Sequence, residues 1–179
     1  MIQELADYEE ASSSVLATES SLLETLCFAP DPHSPPSGPG YAKTLVLRLP
    51  PTSPSTPDHS KESAYHTPQG QVIGMALYFN NYSTWRSAPG IYLEDLYVRK
   101  AFRGSGYGTL LIKALAKEVV RIGGKRLEWT CLRSNTPSLE FYRLLGAKEM
   151  HDWIGLRVDG DVLMRLAGEA DKEATVKGV

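Results

Sequence analysis

Apolar residues run together in some stretches of this chain and recur at helical spacing in others, and the alternation predicts an order of elements. Ile2, Leu5 and Ala6 share one face of a helix over residues 2–10. Thr18 is placed to cap a second short helix carrying Leu22, Leu23 and Leu26. Leu45, Val46, Leu47 and Leu49 make a strand of residues 41–49, and residues 71–79 make another, with Gly74 marking a bulge. Residues 80–90 turn the chain into a strand over 91–98. Leu111, Ala114, Leu115, Val119 and Ile122 then form the stripe of an amphipathic helix over 109–122, closed by Gly123-Gly124. A strand over 125–132, a helix over 137–145 closed by Gly146, a strand over 154–158 and a helical turn over 162–166 complete the pattern. Strands cluster first, then helix, strand, helix and strand follow. This is an α/β chain with a central mixed sheet flanked by helices.

Two segments break the pattern. Residues 29–40 and 50–69 are rich in Pro, Ser, Thr and Gly and hold little apolar surface to repay ordering, so they are expected to be flexible insertions. His33, His59 and His66 lie in them, a polar setting that gives no reason to expect a metal site. The remainder reads as one domain over residues 1–167, followed by a polar tail over 168–179.

Composition narrows the function. At 179 residues, 42% of them apolar, the chain can bury one real core. A net charge of −2 gives no electrostatic reason to bind nucleic acid or an anionic membrane. Cys27 and Cys131 are too few and too far apart for a disulfide framework, and no N-terminal leader or long apolar span stands out. A cytoplasmic protein with free thiols is expected.

The most informative segment is Arg103-Gly104-Ser105-Gly106-Tyr107-Gly108-Thr109, between the strand over 91–98 and the helix that follows. Closely spaced glycines at a strand-to-helix turn let a backbone approach a phosphate, while the first N–H groups of the helix point at it. A nucleotide P-loop would need Lys and Ser or Thr after the last glycine, and a dinucleotide fingerprint would need Gly-x-Gly-x-x-Gly. Neither is present.

Arg-x-x-Gly-x-Gly instead resembles the pyrophosphate loop of the GNAT superfamily of acyl-CoA N-acetyltransferases. Further matching segments fall in that family's order: Glu4 to Glu9, Tyr82-Ser83-Thr84-Trp85, Ile91 to Val98, Asn135-Thr136-Pro137-Ser138, and Phe141 to Ala147. Within the superfamily the chain resembles the diamine and polyamine acetyltransferases, including those acting on spermidine, spermine and thialysine. The resemblance implies acetyl-CoA as co-substrate and a small-molecule amine as acceptor. It implies that Leu96, Tyr97 and Val98 present backbone groups to the pantetheine arm, that Arg103 to Thr109 cradle the pyrophosphate, and that Asn135, Thr136, Pro137 and Ser138 hold the reactive end. Tyr142 would protonate the departing thiolate. Tyr8, Glu9, Glu94, Glu128 and Trp129 would line the amine site. Members often form homodimers, and no stretch here marks an interface.

Acetyl transfer to an amine needs the amine neutral. An alkylammonium with a pKa of ~10.4 is costly to deprotonate at pH 7, by about 4–5 kcal/mol. A carboxylate can attract the cation and take its proton. Glu94 and Asp95 are adjacent candidates expected on opposite faces of their strand, and the resemblance favours Glu94. No Cys/His or Ser/His pair stands in a matching context, so direct transfer is expected rather than an acyl-enzyme.

Two departures qualify the resemblance. Relatives carry a strand and most of a helix ahead of the Glu-Leu-Ala segment, and here only three residues precede it, so the family's first strand is expected to be lacking, with an exposed sheet edge and reduced stability. At His151-Asp152-Trp153-Ile154-Gly155 relatives carry consecutive acids, whereas Asp152 stands alone here, which points away from long polyamines. A protein N-acetyltransferase and a non-catalytic acyl-CoA-binding module are the competing readings. A module would have no physical need for both Glu94 and Tyr142.

Overall fold

A computed structural model of the chain describes residues 1–28, 40–51, 66–67 and 69–169. All of the first Pro-rich segment but Gly40, most of the second, with His33 and His59, and the tail beyond residue 169 lie outside the described residues. Helix α1 (Ile2–Tyr8) leads through a 3-10 turn at Ser12–Ser14 to α2 (Glu19–Thr25). Thr18 caps α2 as expected, its hydroxyl accepting from the Ser21 amide in a reciprocal capping box. The strands are β1 (Lys43–Leu49), β2 (His66–Thr67), β3 (Gly70–Ser83), β4 (Ala88–Val98) and β5 (Leu127–Trp129). The longer helices are α3 (Tyr107–Arg121) between β4 and β5, α4 (Thr136–Leu144) and α5 (Gly160–Leu166).

The sheet runs β1-β3-β4-β5, with β2 folded back on the start of β3. β3 runs antiparallel to both β1 and β4, and β5 lies parallel to β4. A parallel neighbour needs a crossover, and α3 supplies it. Gly74 lets the layers close: a Cβ there would stand 2.9 Å from the Tyr97 carbonyl oxygen and 3.5 Å from Leu111 Cδ1. The β1–β3 register slips beside it, so the bulge expected at Gly74 falls between Val72 and Gly74. Ile73, Ile91, Leu93 and Leu115 are fully buried at the centre of the core. Ile112, which the helical stripe omits, is buried as well. Gly123, at φ +68°, ends α3 in the left-handed conformation that favours glycine.

Several predicted boundaries move. The turn expected over 80–90 shrinks to Thr84–Ser87, because β3 and β4 continue as one long hairpin on either side of it. His66, expected in a loop, pairs with Gln71 as part of β2. The strand expected over 125–132 is reduced to three residues. Residues 154–158 form no strand, and Ile154 and Leu156 are exposed. The described chain divides into two compact units, Met1–Asn135 and a second beginning at Thr136.

Candidate active site

The site in the first unit begins at an irregularity in β4. Leu93 stands opposite Tyr78 and Asp95 opposite the adjacent Leu77, so Glu94 is an extra residue in β4. Strand alternation is interrupted there. Leu93 and Asp95, two apart in sequence, therefore serve opposite faces, where unbroken alternation would put them on one. β5 pairs with β4 only from Ile91 to Leu93. Beyond the bulge, among the described residues, no strand pairs with β4 on that side, so the edge from Glu94 to Tyr97 has no strand partner there, while the Val98 carbonyl accepts from Arg103.

That open edge runs into the glycine loop. Gly104 and Gly106 take φ values of +79° and +82°, and a Cβ on either would meet nothing within 4 Å. Glycine is needed there for the turn itself, in space open to a ligand. Gly106 is the N-cap of α3, with no side chain capping the helix and no acid in its first turn. The first amides of α3, at Tyr107, Gly108 and Thr109, together with the helix dipole, make a positive end suited to a phosphate. An extended arm along β4 ending in a pyrophosphate at α3 fits this shape.

Arg103 does more than open the loop. Its Nε donates to the Val98 carbonyl at 2.8 Å, and its guanidinium lies over the rings of Tyr8 at 4.6 Å and Tyr97 at 5.3 Å. The Tyr8 hydroxyl donates to Asn135 Oδ1 at 3.2 Å. One helical turn earlier, Glu4 pairs with Arg99 at 3.1 Å. Burial, with Glu4 nearby, pushes the Tyr97 hydroxyl above its ordinary range, so it stays protonated at neutral pH.

A cavity of about 190 Å³ beside α1 is lined by Ile2, Leu5, Ala6 and Val15, with Glu9 and Asp95 also among its lining residues. Burial, then the neighbouring charges of Glu94 and Glu9, raise the Asp95 pKa. Glu94 itself is exposed. The thiol of half-buried Cys131 is also raised, by burial and then by Glu9.

The other expected site residues lie on β5 and α4. Glu128 accepts from Asn81 Nδ2 at 2.6 Å and pairs with Arg126 at 2.8 Å, so its charge is already engaged within the sheet. Trp129, half-buried, lies opposite Leu93 in the β4–β5 pair. Thr136, Pro137, Ser138 and Tyr142 belong to α4 in the second unit, where the Tyr142 ring tilts against Phe141 with centroids 5.1 Å apart. Asp95 is the residue that sequence reasoning underweighted. Its adjacency to Glu94 was a signal, but the bulge that brings it beside α1 is not legible in residue types.

A strand edge leading to a glycine loop at a helix N-terminus is a shape that suits an acyl-CoA. The chain belongs to the acetyltransferase (GNAT) family, whose profile matches residues 56–147. The chain is an N-acetyltransferase, which transfers acetyl from acetyl-CoA to an amine. The chain is 29% identical to L-ornithine N5-acetyltransferase NATA1 of Arabidopsis thaliana, over 93% of its own length and 80% of that protein. It is 31% identical to thialysine N-epsilon-acetyltransferase of Bos taurus, over 94% of this chain and 89% of that protein. Among solved structures it resembles an integron cassette protein from the mobile metagenome of V. cholerae, with a TM-score of 0.52 and 31% identity. That match covers 54% of this chain and 60% of that one.

Proposed function

We propose that this chain transfers acetyl from acetyl-CoA directly to a primary amine of a small diamine or of a basic amino acid of the ornithine or lysine type. The observation that carries the reading is the open β4 edge from Glu94 to Tyr97, running into the uncapped N-terminus of α3. Leu96, Tyr97 and Val98 offer backbone groups to the pantetheine arm, and Arg103 to Thr109 hold the pyrophosphate. Asn135, Thr136, Pro137 and Ser138 hold the thioester end. Glu94 attracts the ammonium and accepts its proton, leaving the nitrogen lone pair to form the new bond to the acetyl carbon. As the carbon–sulfur bond breaks, the Tyr142 hydroxyl gives the thiolate a proton, the second proton shed by the acylated nitrogen restores the tyrosine, and the proton taken by Glu94 passes to solvent. Glu9, Glu128 and Trp129 border the amine.

The names of the two similar acetyltransferases support a short acceptor, as does the single acid at Asp152. One acetyltransferase domain over residues 1–167 and a cytoplasmic setting belong to the same reading and rest on the sequence pattern and composition, and a homodimeric state rests on resemblance. Among the described residues no helix is long and apolar enough to cross a membrane.

The test is release of the CoA thiol from acetyl-CoA with ornithine, lysine, thialysine, putrescine, spermidine, spermine and a lysine peptide in parallel. Saturable turnover with a small amine is expected. Turnover with the peptide alone would replace the reading by a protein acetyltransferase. Acetyl-CoA binding without turnover on any amine would favour a binding module.

A further inference from the structure

We infer that Tyr8, which resemblance assigns to the amine site, is a positioning residue of the acetyl-donor site. The inference rests on the donor-side roles of Arg103 and Asn135 proposed above. Tyr8 ends α1, and its side chain reaches two distant segments at once. Its ring lies under the Arg103 guanidinium at 4.6 Å, and its hydroxyl donates to Asn135 Oδ1 at 3.2 Å. Arg103 is held from two further directions, by the Tyr97 ring at 5.3 Å and by the Val98 carbonyl at 2.8 Å. The guanidinium at the mouth of the glycine loop is therefore fixed by two aromatic faces and a backbone oxygen.

The geometry also sets the sense of the Asn135 carboxamide. A phenol donating to Oδ1 places the amide N–H₂ on the opposite edge of the group, as a donor. A carbonyl on the donor molecule is an acceptor, so this orientation is the one that serves it. Glu4 and Tyr8 lie four residues apart on one face of α1, and Arg99 and Arg103 are four apart in the connection to the loop. The Glu4–Arg99 ion pair at 3.1 Å and the Tyr8–Arg103 stack thus tie the helix to the loop at two points. Glu9 follows Tyr8 directly and lines the acidic cavity. The same helix end therefore bears on the donor loop through Tyr8 and on the cavity through Glu9.

The test is Tyr8→Phe, which keeps the ring against Arg103 and removes only the hydroxyl. Acetyl-CoA affinity, measured by calorimetry without any amine, should fall about fivefold, the scale of one hydrogen bond. The KM for acetyl-CoA should rise in parallel, with the amine KM and the melting temperature unchanged. Adding Asn135→Ala to Tyr8→Phe should cost no more than Asn135→Ala alone, because both remove the same interaction. A raised amine KM with unchanged acetyl-CoA affinity would return Tyr8 to the amine site and overturn the inference. Additive losses in the double variant, or a fall in melting temperature with both KM values unmoved, would overturn it as well. A wild-type chain that binds no acetyl-CoA would instead overturn the donor-site reading, and this inference with it.

Discussion

Asp95 stands opposite Leu77 in the β3–β4 ladder, although the residue two before it, Leu93, stands opposite Tyr78. The extra residue between them brings Asp95 to the lining of the cavity beside α1, which Glu9 also lines. Burial and two neighbouring acids raise its pKa above the ordinary 3.8. A carboxyl raised in this way binds its proton more tightly in the folded chain than in the unfolded one. Its contribution to stability is fully favourable below about pH 4 and declines as pH rises through the folded pKa. Asp95→Asn should therefore raise the melting temperature relative to wild type at pH 7, and the gain should vanish near pH 3. Equal gains at both values would show that Asp95 carries no buried charge.

The glycine loop makes a separate prediction. Gly106 takes φ +82° with open space around its missing Cβ, so Gly106→Ala meets no clash and suffers only backbone strain. Left-handed backbone costs a residue with a side chain about 1–2 kcal/mol. Urea denaturation should show a loss of that size. The KM for acetyl-CoA should rise further than stability explains, because relaxing the strain turns the first amides of α3 away from the phosphate.

Much of the fold was legible because local chemistry decides it. Thr18 caps α2, Gly123 ends α3, and Leu111, Leu115 and Val119 of α3 are buried as their spacing requires. What was not legible depends on pairing between distant segments. Nothing in Ile91 to Val98 announces that Glu94 is skipped by the ladder, since a bulge is set by the register of β3 against β4. Nor does Glu128 announce that Asn81 and Arg126 engage it. The segment Ile154 to Val158 has strand-like composition, but a strand needs a partner, and among the described residues it has none. The glycine loop was readable for the opposite reason: its φ values are a property of the loop itself.

The core sets the scale for stability. Leu115 is fully buried on α3, in a layer that Gly74 lets sit close to the sheet. Leu115→Ala removes that side chain from a site with little room to relax and should cost about 2–5 kcal/mol. In a domain whose net stability is about 5–15 kcal/mol, this takes a large share. Chemical denaturation should show the midpoint falling with the slope unchanged. A loss under 1 kcal/mol would mean that α3 does not pack on the sheet as described.

Tyr142 separates catalysis from binding. It is half-buried on α4, and its ring makes a tilted contact with Phe141. Tyr142→Phe keeps that ring and removes only the hydroxyl, so packing within α4 should persist and melting should shift little. If the hydroxyl protonates the departing thiolate, its loss should lower kcat about 10²-fold or more, the scale of general-acid catalysis. Acetyl-CoA affinity should stay at the wild-type value, because the proton is needed only as the carbon–sulfur bond breaks. The rate loss should also shrink with a thioester whose thiol is more acidic, since a better leaving group needs less help from a proton donor. Unchanged kcat would remove Tyr142 from the mechanism. A rate loss accompanied by weaker acetyl-CoA binding would make it a cofactor contact instead.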